Sequence, residues 1–302
     1  MQSSARCFII LIYYDAYVCE KLHARYGGII LESENMRIDV ALTKRGLAAS
    51  REKAQSLIAA GLVLLNGKIC KKPSVKINEA DELIVCGSDI PYVSRGGLKL
   101  EKALKVFDIN VSGLTAIDIG ASTGGFTDVL LQNGAKKVYA IDVGFGQLDP
   151  KIASDSRVIS MEHTNARALT AEMFEDHPEI GVMDVSFISI QLILPAAFEV
   201  LGDTGRMISL VKPQFEAGRA NIGKGGIVGK KSVHEDVLNA LISFVPAYGW
   251  SVRAIDYSPI AGGDGNIEFL ADIVPAARCA TSVTPQDVER LVKEAHAAMK
   301  KS

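Results

Sequence analysis

The sequence predicts an α/β protein whose larger part is built on a mainly parallel seven-stranded sheet. Three observations predict this fold. Seven apolar runs alternate with helical patterns from residue 115 onward, a glycine-rich turn follows the first run, and polar residues stand where the runs end. Two helical patterns and a hairpin signal come earlier in the chain and predict a smaller α+β domain. A length of 302 residues accommodates both domains.

The chain divides into four predicted parts. Residues 1–35 are expected to be an extension outside the fold, 36–92 the small α+β domain, 93–275 the α/β domain and 276–302 a C-terminal helix. The apolar run Phe8–Tyr14 ends at Asp15, far short of the about 20 residues that a transmembrane helix needs. We therefore expect no membrane partner, and we interpret 1–35 as the product of an upstream start codon.

Charge is unevenly distributed along the chain. The net charge is −2, yet residues 36–99 contain eleven Lys or Arg and six Asp or Glu. A basic excess within a weakly acidic protein predicts a module that binds a polyanion. The five cysteines are odd in number and form no C-x-x-C pair. A structural zinc site is therefore disfavoured, no metal is expected, and a reducing, cytoplasmic location is predicted.

Local signals define the elements of the small domain. A helix over 37–45 ends at Gly46, and a second helix begins near Ser50 and ends at Gly61. The pair Asn66-Gly67 predicts a two-residue hairpin turn, because both residues tolerate a positive φ. The apolar segments 75–77 and 83–85 are expected to complete one small sheet.

Two helices, a hairpin and surrounding basic residues resemble the α-L RNA-binding module of a small-subunit ribosomal protein, pseudouridine synthases and tyrosyl-tRNA synthetase. The resemblance rests on the patterns R-x-D-x-A-L, S-R-x-x-A-x-x-L-I and G-x-V-x-x-N-G. It implies that RNA is bound by Arg37, Arg51, Lys53, Lys68, Lys71 and Lys72, with Arg95 in the S-R-G-G segment that follows. The alternative is that these charges form a solvated surface.

Strands and helices alternate from Thr115 onward. The predicted strands are 115–118, 137–142, 157–161, 180–184, 206–211, 252–257 and 267–273, and the main helices between them are 126–133, 189–201 and 233–247. The last two strands are joined by turn-rich residues without a helix, so we expect an antiparallel hairpin at the sheet edge. Thr284 and Pro285 predict the start of the final helix.

Polar residues mark one edge of the predicted sheet. Ligands of open parallel sheets bind outside the carboxyl ends of the strands. The residues expected there are Asp118, Asp142, Asn165, Asp184 and Lys212, together with Glu268 at the start of the antiparallel last strand. We therefore predict that the functional site lies at this edge.

The loop after the first strand distinguishes between two classes of ligand. A dinucleotide fingerprint would need glycine at 120, 122 and 125, but residue 122 is serine. A nicotinamide cofactor is therefore the less favoured prediction. The pattern D-x-G-x-x-x-G-G-F resembles the first motif of S-adenosylmethionine-dependent methyltransferases. It implies that the cofactor is bound by Asp118, Gly120, Ser122, Gly124, Gly125 and Phe126, with Asp142 at the ribose and Asn165 at the adenine. For Asp118, a structural capping role is the alternative.

Four further motifs carry a closer resemblance. S-R-G-G-x-K-L, M-D-V-S-F-I-S, L-V-K-P-Q-F-E and N-I-E-F-L resemble the TlyA family, whose catalytic half is FtsJ-like, over Met36 to Ile273. The resemblance implies a Rossmann-like S-adenosylmethionine-dependent methyltransferase fold behind a small RNA-binding domain. It also implies ribose 2′-O-methylation of ribosomal RNA on ribosomal subunits, in a family historically named hemolysins. Its Lys-Asp-Lys-Glu tetrad falls on Lys99, Asp184, Lys212 and Glu268.

The tetrad has a chemical rationale. A ribose hydroxyl must lose its proton as it attacks the methyl group, and Lys212 is assigned to accept that proton or to stabilise the alkoxide. Asp184 and Glu268 would hold the lysines, and Lys99 would orient the hydroxyl and a flanking phosphate. Residues 214–231, rich in glycine and basic residues, are interpreted as a lid that contacts RNA phosphates.

Four alternatives remain open from the sequence alone. The tetrad residues could be surface ion pairs, which contribute little to stability. The protein could be a membrane-active hemolysin, a non-catalytic RNA-binding or ribosome assembly factor, or a nicotinamide dehydrogenase on fold alone. The intact tetrad and the short apolar runs favour the methyltransferase.

Overall fold

A computed structural model of the chain describes residues 36–48, 50–59, 61–85, 91–262 and 265–299. Contacts divide the chain into two compact units, 1–89 and 90–302. The predicted extension 1–35 lies outside the described residues.

The first unit packs two helices, α1 (Ile38–Lys44) and α2 (Arg51–Ala59), against short strands. Strands β2 (Val63–Leu65) and β3 (Lys68–Ile69) form the predicted hairpin, and both turn residues have positive φ, 48° at Asn66 and 75° at Gly67. The core is formed by fully buried apolar side chains of both helices and of β2: Ile38, Ala41, Leu42, Ala54, Ile58 and Val63.

The prediction of one small sheet in this unit is wrong. Strand β5 (Leu83–Val85) joins β2, but β4 (Lys76–Ile77) pairs with β1 (Met36–Arg37) in a separate two-stranded sheet. The reason is that the residues just before α1 are extended and offer β4 a free edge. A two-residue strand has no period of its own, so the sequence pattern did not reveal β1.

The second unit is an α/β layer structure around one seven-stranded sheet. Its strands are β6 (Thr115–Ile119), β7 (Lys137–Ile141), β8 (Val158–Met161), β9 (Ile180–Met183), β10 (Arg206–Val211), β11 (Trp250–Tyr257) and β12 (Phe269–Pro275). The strand order is β11-β12-β10-β9-β6-β7-β8. Only β12 runs antiparallel to its neighbours β10 and β11, which confirms the predicted edge hairpin.

Helices cover both faces of this sheet. The α-helices are α3 (Gly97–Val106), α4 (Gly125–Gln132), α5 (Pro150–Ala153), α6 (Leu194–Leu201), α7 (Pro213–Glu216), α8 (Lys231–Phe244) and α9 (Pro285–Met299). The 3-10 turns are Ala166–Ala168, Ala171–Met173, Ile190–Leu192, Gly202–Thr204, Arg219–Asn221, Lys224–Gly226, Val245–Tyr248 and Ala276–Arg278.

Two apolar layers, one on each face of the sheet, form the core. Along β6, Ile117 and Ile119 belong to one layer and Ala116 to the other, as the alternation of side chains along a strand requires. Every residue of β6 is buried, and the strand is apolar except for Thr115 at its start and Asp118. Among the described residues, no helix combines the length and the hydropathy that crossing a membrane requires.

Candidate active site

The carboxyl ends of the central strands bring four charged residues together. Asp184 directly follows β9, Lys212 directly follows β10, and Glu268 directly precedes the antiparallel β12. Lys99 reaches the same edge from the first turn of α3. The four residues that the tetrad motif singled out are therefore neighbours in space, although up to 169 positions separate them in the chain.

These four side chains form a row of alternating charge. Lys99 Nζ lies 2.6 Å from Glu268 Oε2 and 3.7 Å from Asp184 Oδ2. Lys212 Nζ lies 2.5 Å from the other carboxylate oxygen of Asp184. No side chain of the four is more than 19% exposed. Buried charges are costly unless they are paired, so this row is not a set of solvated surface ion pairs.

Neighbouring groups hold the ends of the row. Lys212 Nζ donates a hydrogen bond of 2.9 Å to Ser186 Oγ. At the other end, Gln214 Nε2 lies 3.4 Å from Glu268 Oε1. A side chain at Gly262 would place its Cβ 2.5 Å from the same oxygen and would displace the Glu268 carboxylate from this position.

Two adjoining clefts open beside this row. The first has a volume of about 370 Å³, within the usual range of small-molecule sites. Its walls include Ile119, Ile141, Val185 and Ile193. The second cleft, about 200 Å³, reaches Lys212. The residues common to both are Gly120, Ser122, Asp184 and Ser186, so the clefts meet at the end of the charged row.

The charged residues that line the first cleft are all acidic. Asp142 and Asp184 contribute carboxylates to its lining, and none of its lining residues is Lys, Arg or His. Asp184 is already paired with Lys99 and Lys212, whereas Asp142 has no ion-pair partner among the described residues. A phosphate-bearing dinucleotide would bring anionic groups toward Asp142 with no cation in this lining to receive them. A ligand with a positive charge fits this lining better.

Several predicted cofactor residues line the clefts. Gly120 and Ser122 line both, Asp142 and Asn165 line the first, and Gly125 and Phe126 line the second. The Asp142 carboxylate already accepts hydrogen bonds from the backbone N–H of Ser122 at Oδ2 (2.9 Å) and of Gly144 at Oδ1 (2.7 Å). Gln147 Nε2 also lies 3.4 Å from Oδ1, so Oδ2 is the oxygen that retains a free lone pair. Asn165 Oδ1 accepts from the Arg167 N–H at 3.1 Å, and its amide N–H groups have no partner in the described part of the chain.

Asp118 and Gly124 line neither cleft. The Asp118 side chain is fully buried within β6, where Thr127 Oγ1 of α4 donates a hydrogen bond of 2.6 Å to Oδ2. Its other oxygen has no hydrogen-bond partner among the described residues. Gly124 adopts φ 93° and is the N-cap of α4. Both residues thus shape the loop beneath the ligand cleft, and a direct contact of either with a ligand remains a prediction.

Burial gives Asp118 unusual acid–base behaviour. Burial is the largest cause that raises the pKa of its carboxyl to about 7, and the charges of Asp184 and Asp142 act in the same direction. The hydrogen bond from Thr127 opposes them. The Asp118 carboxyl therefore holds a proton at far higher pH than an exposed aspartate does.

In the first unit, the predicted RNA-binding residues fall into two groups. Arg37 and Arg51 form ion pairs with the buried Asp39 at 3.0 Å and 3.1 Å, and the hydrogen bond from Arg37 is the main cause of the lowered pKa of Asp39. Both arginines thus have a structural partner. The remaining predicted lysines are exposed: Lys53, Lys68, Lys71 and Lys72. Arg95 is exposed in the turn before α3, in the second unit.

Sequence reasoning missed two residues of the site. Ser186 and Phe187 lie within the quoted D-V-S-F-I-S motif but received no role. Phe187 is 91% exposed, adopts φ 65° and lines the first cleft. Its ring lies 5.2 Å from that of Phe215, which follows Lys212. An exposed aromatic residue with a positive φ is rare, and such strain is commonly found at functional sites.

Comparison with known proteins agrees with this geometry. The model of the FtsJ-like methyltransferase family matches residues 92–272, and that of the S4 domain matches residues 36–83. The chain is 48% identical to YqxC of Bacillus subtilis, named as a candidate rRNA methyltransferase, over 89% of this chain and 97% of that protein. It is 41% identical to the 16S/23S rRNA (cytidine-2′-O)-methyltransferase TlyA of Mycobacterium tuberculosis, over 78% and 88%.

A solved structure supports the same relationship. A hemolysin-named protein from Streptococcus thermophilus is 50% identical and superposes with a TM-score of 0.72, covering 88% of this chain and 98% of that one.

Proposed function

Because the chain belongs to the FtsJ-like methyltransferase family, in the TlyA group that carries an N-terminal S4 domain, we propose that it methylates ribose 2′-hydroxyls of ribosomal RNA. The methyl donor is S-adenosylmethionine. The observation that carries the proposal is the buried row Glu268–Lys99–Asp184–Lys212 beside an acidic cleft.

The clefts suit the donor in both shape and charge. The apolar walls of the first cleft suit an adenine ring, Asp142 can accept hydrogen bonds from ribose hydroxyls, and the amide N–H of Asn165 can reach an acceptor on the base. Asp142 has no ion-pair partner among the described residues and no cation lies in the lining, which favours a sulfonium over a pyrophosphate. When bound, S-adenosylmethionine supplies a methyl group on a good leaving group.

Lys212 performs the proton chemistry in this proposal. As the 2′-oxygen forms its bond to the methyl carbon and the carbon–sulfur bond breaks, the hydroxyl proton passes to Lys212 in its neutral amine form. In the alternative version, the proton is lost to water and the ammonium of Lys212 stabilises the developing alkoxide. Asp184 and Ser186 hold Lys212 Nζ at 2.5 Å and 2.9 Å. With Lys212 as an ammonium, Lys99 and Lys212 together balance Asp184 and Glu268, so the cluster then carries no net charge before substrate enters.

The first unit supplies the affinity for RNA. Lys53, Lys68, Lys71 and Lys72 are exposed and form no ion pair with a described residue, so they are available to phosphates. Phosphate contacts of this kind give affinity that weakens with salt and carries little sequence information. The target nucleotide must therefore be selected in addition by contacts at the active site.

The experiment that tests this function maps methylated riboses in ribosomal RNA from cells with and without the protein. The purified protein is then given S-adenosylmethionine and subunits from the deletion strain. We expect one or a few riboses to lose methylation in the deletion and to regain it in vitro. A deletion strain with unchanged ribose methylation would refute the proposal, and an erythrocyte lysis assay on the same preparation tests the hemolysin alternative.

A further inference from the structure

Residues 217–231 form a basic segment directly after α7. They contain Arg219, Lys224, Lys230 and Lys231 and no Asp or Glu. All four basic side chains are exposed, and none forms an ion pair with a residue in the described ranges. We call residues 217–231 the basic segment.

The basic segment is ordered by a buried amide. Asn266 is fully buried, its Oδ1 accepts a hydrogen bond of 2.8 Å from the Val228 N–H, and its Nδ2 donates one of 2.9 Å to the Gly226 carbonyl. The Val228 side chain is itself only 2% exposed. Two 3-10 turns, Arg219–Asn221 and Lys224–Gly226, occupy much of the remainder. The segment is therefore a preformed surface and not the open loop that its glycine content suggests.

Two stretches of chain connect the basic segment to the row of four charged residues: the one that begins at Lys212 and the one from Asn266 to Glu268. At its start, the segment is separated from Lys212 only by the short helix α7. At its anchor, Asn266 stands two positions before Glu268. The basic surface is consequently built onto the edge of the sheet where the methyl group would be transferred.

The four basic side chains of the basic segment do not stabilise the folded protein. Lys230 is the N-cap of α8 and Lys231 its first residue, so both stand at the positive end of the helix dipole, where cations are unfavourable. Four like charges in one short segment also repel one another. An anionic partner would relieve both effects.

We propose that the basic segment is a preordered phosphate-binding surface that holds the RNA strand carrying the target ribose beside Lys212. The inference rests on the proposed function and adds a second RNA contact, within the catalytic unit, to the one expected for the S4 domain. The segment acts on binding and not on the chemical step, because none of its basic side chains contacts the row of four charged residues.

The test compares two triple variants of the full-length protein. The first is Lys224→Ala/Lys230→Ala/Lys231→Ala. The control removes the same charge elsewhere, as Lys105→Ala/Lys136→Ala/Lys293→Ala, from exposed lysines that form no ion pair with a described residue. Lys136 immediately precedes β7 and so lies at the amino ends of the parallel strands, opposite the carboxyl ends where the site lies. Methylation of ribosomal subunits is measured at several salt concentrations, with S-adenosylmethionine binding measured in parallel.

We expect the first variant to raise the KM for RNA about tenfold at moderate salt and to leave kcat and S-adenosylmethionine binding unchanged. For a single strand, each phosphate contact adds about 0.7 to the slope of log KM against log salt. Removing three lysines should therefore lower this slope by about 2. The control variant should keep the wild-type slope.

The outcomes separate this inference from the proposed function. If the wild type methylates RNA and both variants share its KM and salt slope, the basic segment does not bind RNA and the proposed function stands. An equal loss in both variants would indicate a general effect of net charge and would also overturn the inference. If the wild type methylates no RNA, the proposed function itself fails.

Discussion

The ammonium group of Lys212 donates a hydrogen bond of 2.9 Å to the hydroxyl of Ser186. The two residues belong to loops that are joined a second time, because Ser189 Oγ donates to Glu216 Oε2 at 2.6 Å and the Ile190 N–H donates to Oε1 at 2.8 Å. The loop after β9 is therefore tied both to Lys212 and to the end of α7, which follow β10. Ser186 can thus orient Lys212 without contacting the reacting atoms.

Replacing Ser186 tests this positioning role. Ser186→Ala removes a hydrogen bond to a charged group, which is worth roughly 1.5–3 kcal/mol, so we expect kcat to fall by one to two orders of magnitude. The KM values for RNA and S-adenosylmethionine should change little. Ser186→Thr keeps the hydroxyl and should recover most of the rate. A rise in KM with kcat unchanged, or a Thr variant as impaired as the Ala variant, would contradict the assignment.

Lys212 is expected to act in the chemical step itself. Lys212→Ala should bind S-adenosylmethionine almost normally, as measured by calorimetry, while single-turnover methylation falls by orders of magnitude. Lys212→Arg separates the two roles left open for this residue. Arginine keeps the positive charge but is always protonated in proteins, so it cannot accept the hydroxyl proton.

A Lys212→Arg variant that retains substantial activity would assign alkoxide stabilisation to Lys212, and an inactive one would favour proton transfer. Unchanged turnover in Lys212→Ala would exclude both roles.

The strands of the sheet and the tetrad were predictable from sequence for the same physical reason. A fully buried parallel strand such as Ile180–Met183 must be apolar, so the charged residue that follows it, Asp184, marks both the boundary of the strand and the edge where ligands bind. Glu268 also required the antiparallel hairpin, which the missing helix between the last two strands indicated.

Other features were not predictable because they depend on contacts between distant segments. The short strand Met36–Arg37 exists only through its pairing with Lys76–Ile77. The hydrogen bond between Lys212 and Ser186 joins positions 26 apart, and the burial of Asp118 beneath its own loop depends on how α4 packs. The pattern of the glycine-rich loop predicted that its glycines allow a ligand to approach. In the structure, the missing Cβ of Gly120 instead leaves room for the backbone carbonyl of Asp184.

Phe187 combines two unfavourable properties that suggest a functional role. Its side chain is 91% exposed and its φ is 65°, a conformation that costs about 1–2 kcal/mol for a residue with a Cβ. Phe187→Asn introduces a residue that tolerates this conformation. We expect the variant to be at least as stable as the wild type in urea denaturation, by up to about 1 kcal/mol.

The same variant should lose most of its methylation activity, because the aromatic surface beside the first cleft is removed. Phe187→Tyr preserves that surface and serves as the control. If Phe187→Asn were both destabilised and fully active, the residue would have a packing role and no role in substrate binding.

Asp118 should make stability depend on pH. Its pKa is raised from 3.8 to about 7 in the folded protein, so between these values the folded state binds a proton that the unfolded chain has released. The stabilisation of the folded state by protonated Asp118 is therefore fully present below about pH 4, and it is lost as the pH rises through about 7. At about 1.4 kcal/mol per pKa unit, the upper bound for this group is about 4 kcal/mol.

Asp118→Asn keeps an acceptor for the Thr127 hydroxyl and removes the titrating group. We expect the free energy of unfolding of the wild type, relative to the variant, to fall between pH 5 and pH 8, as measured by urea denaturation without ligand. Asp203→Asn removes an exposed carboxylate and should keep the pH dependence of the wild type. Parallel curves for the wild type and Asp118→Asn would mean that Asp118 stays charged in the folded protein throughout this range.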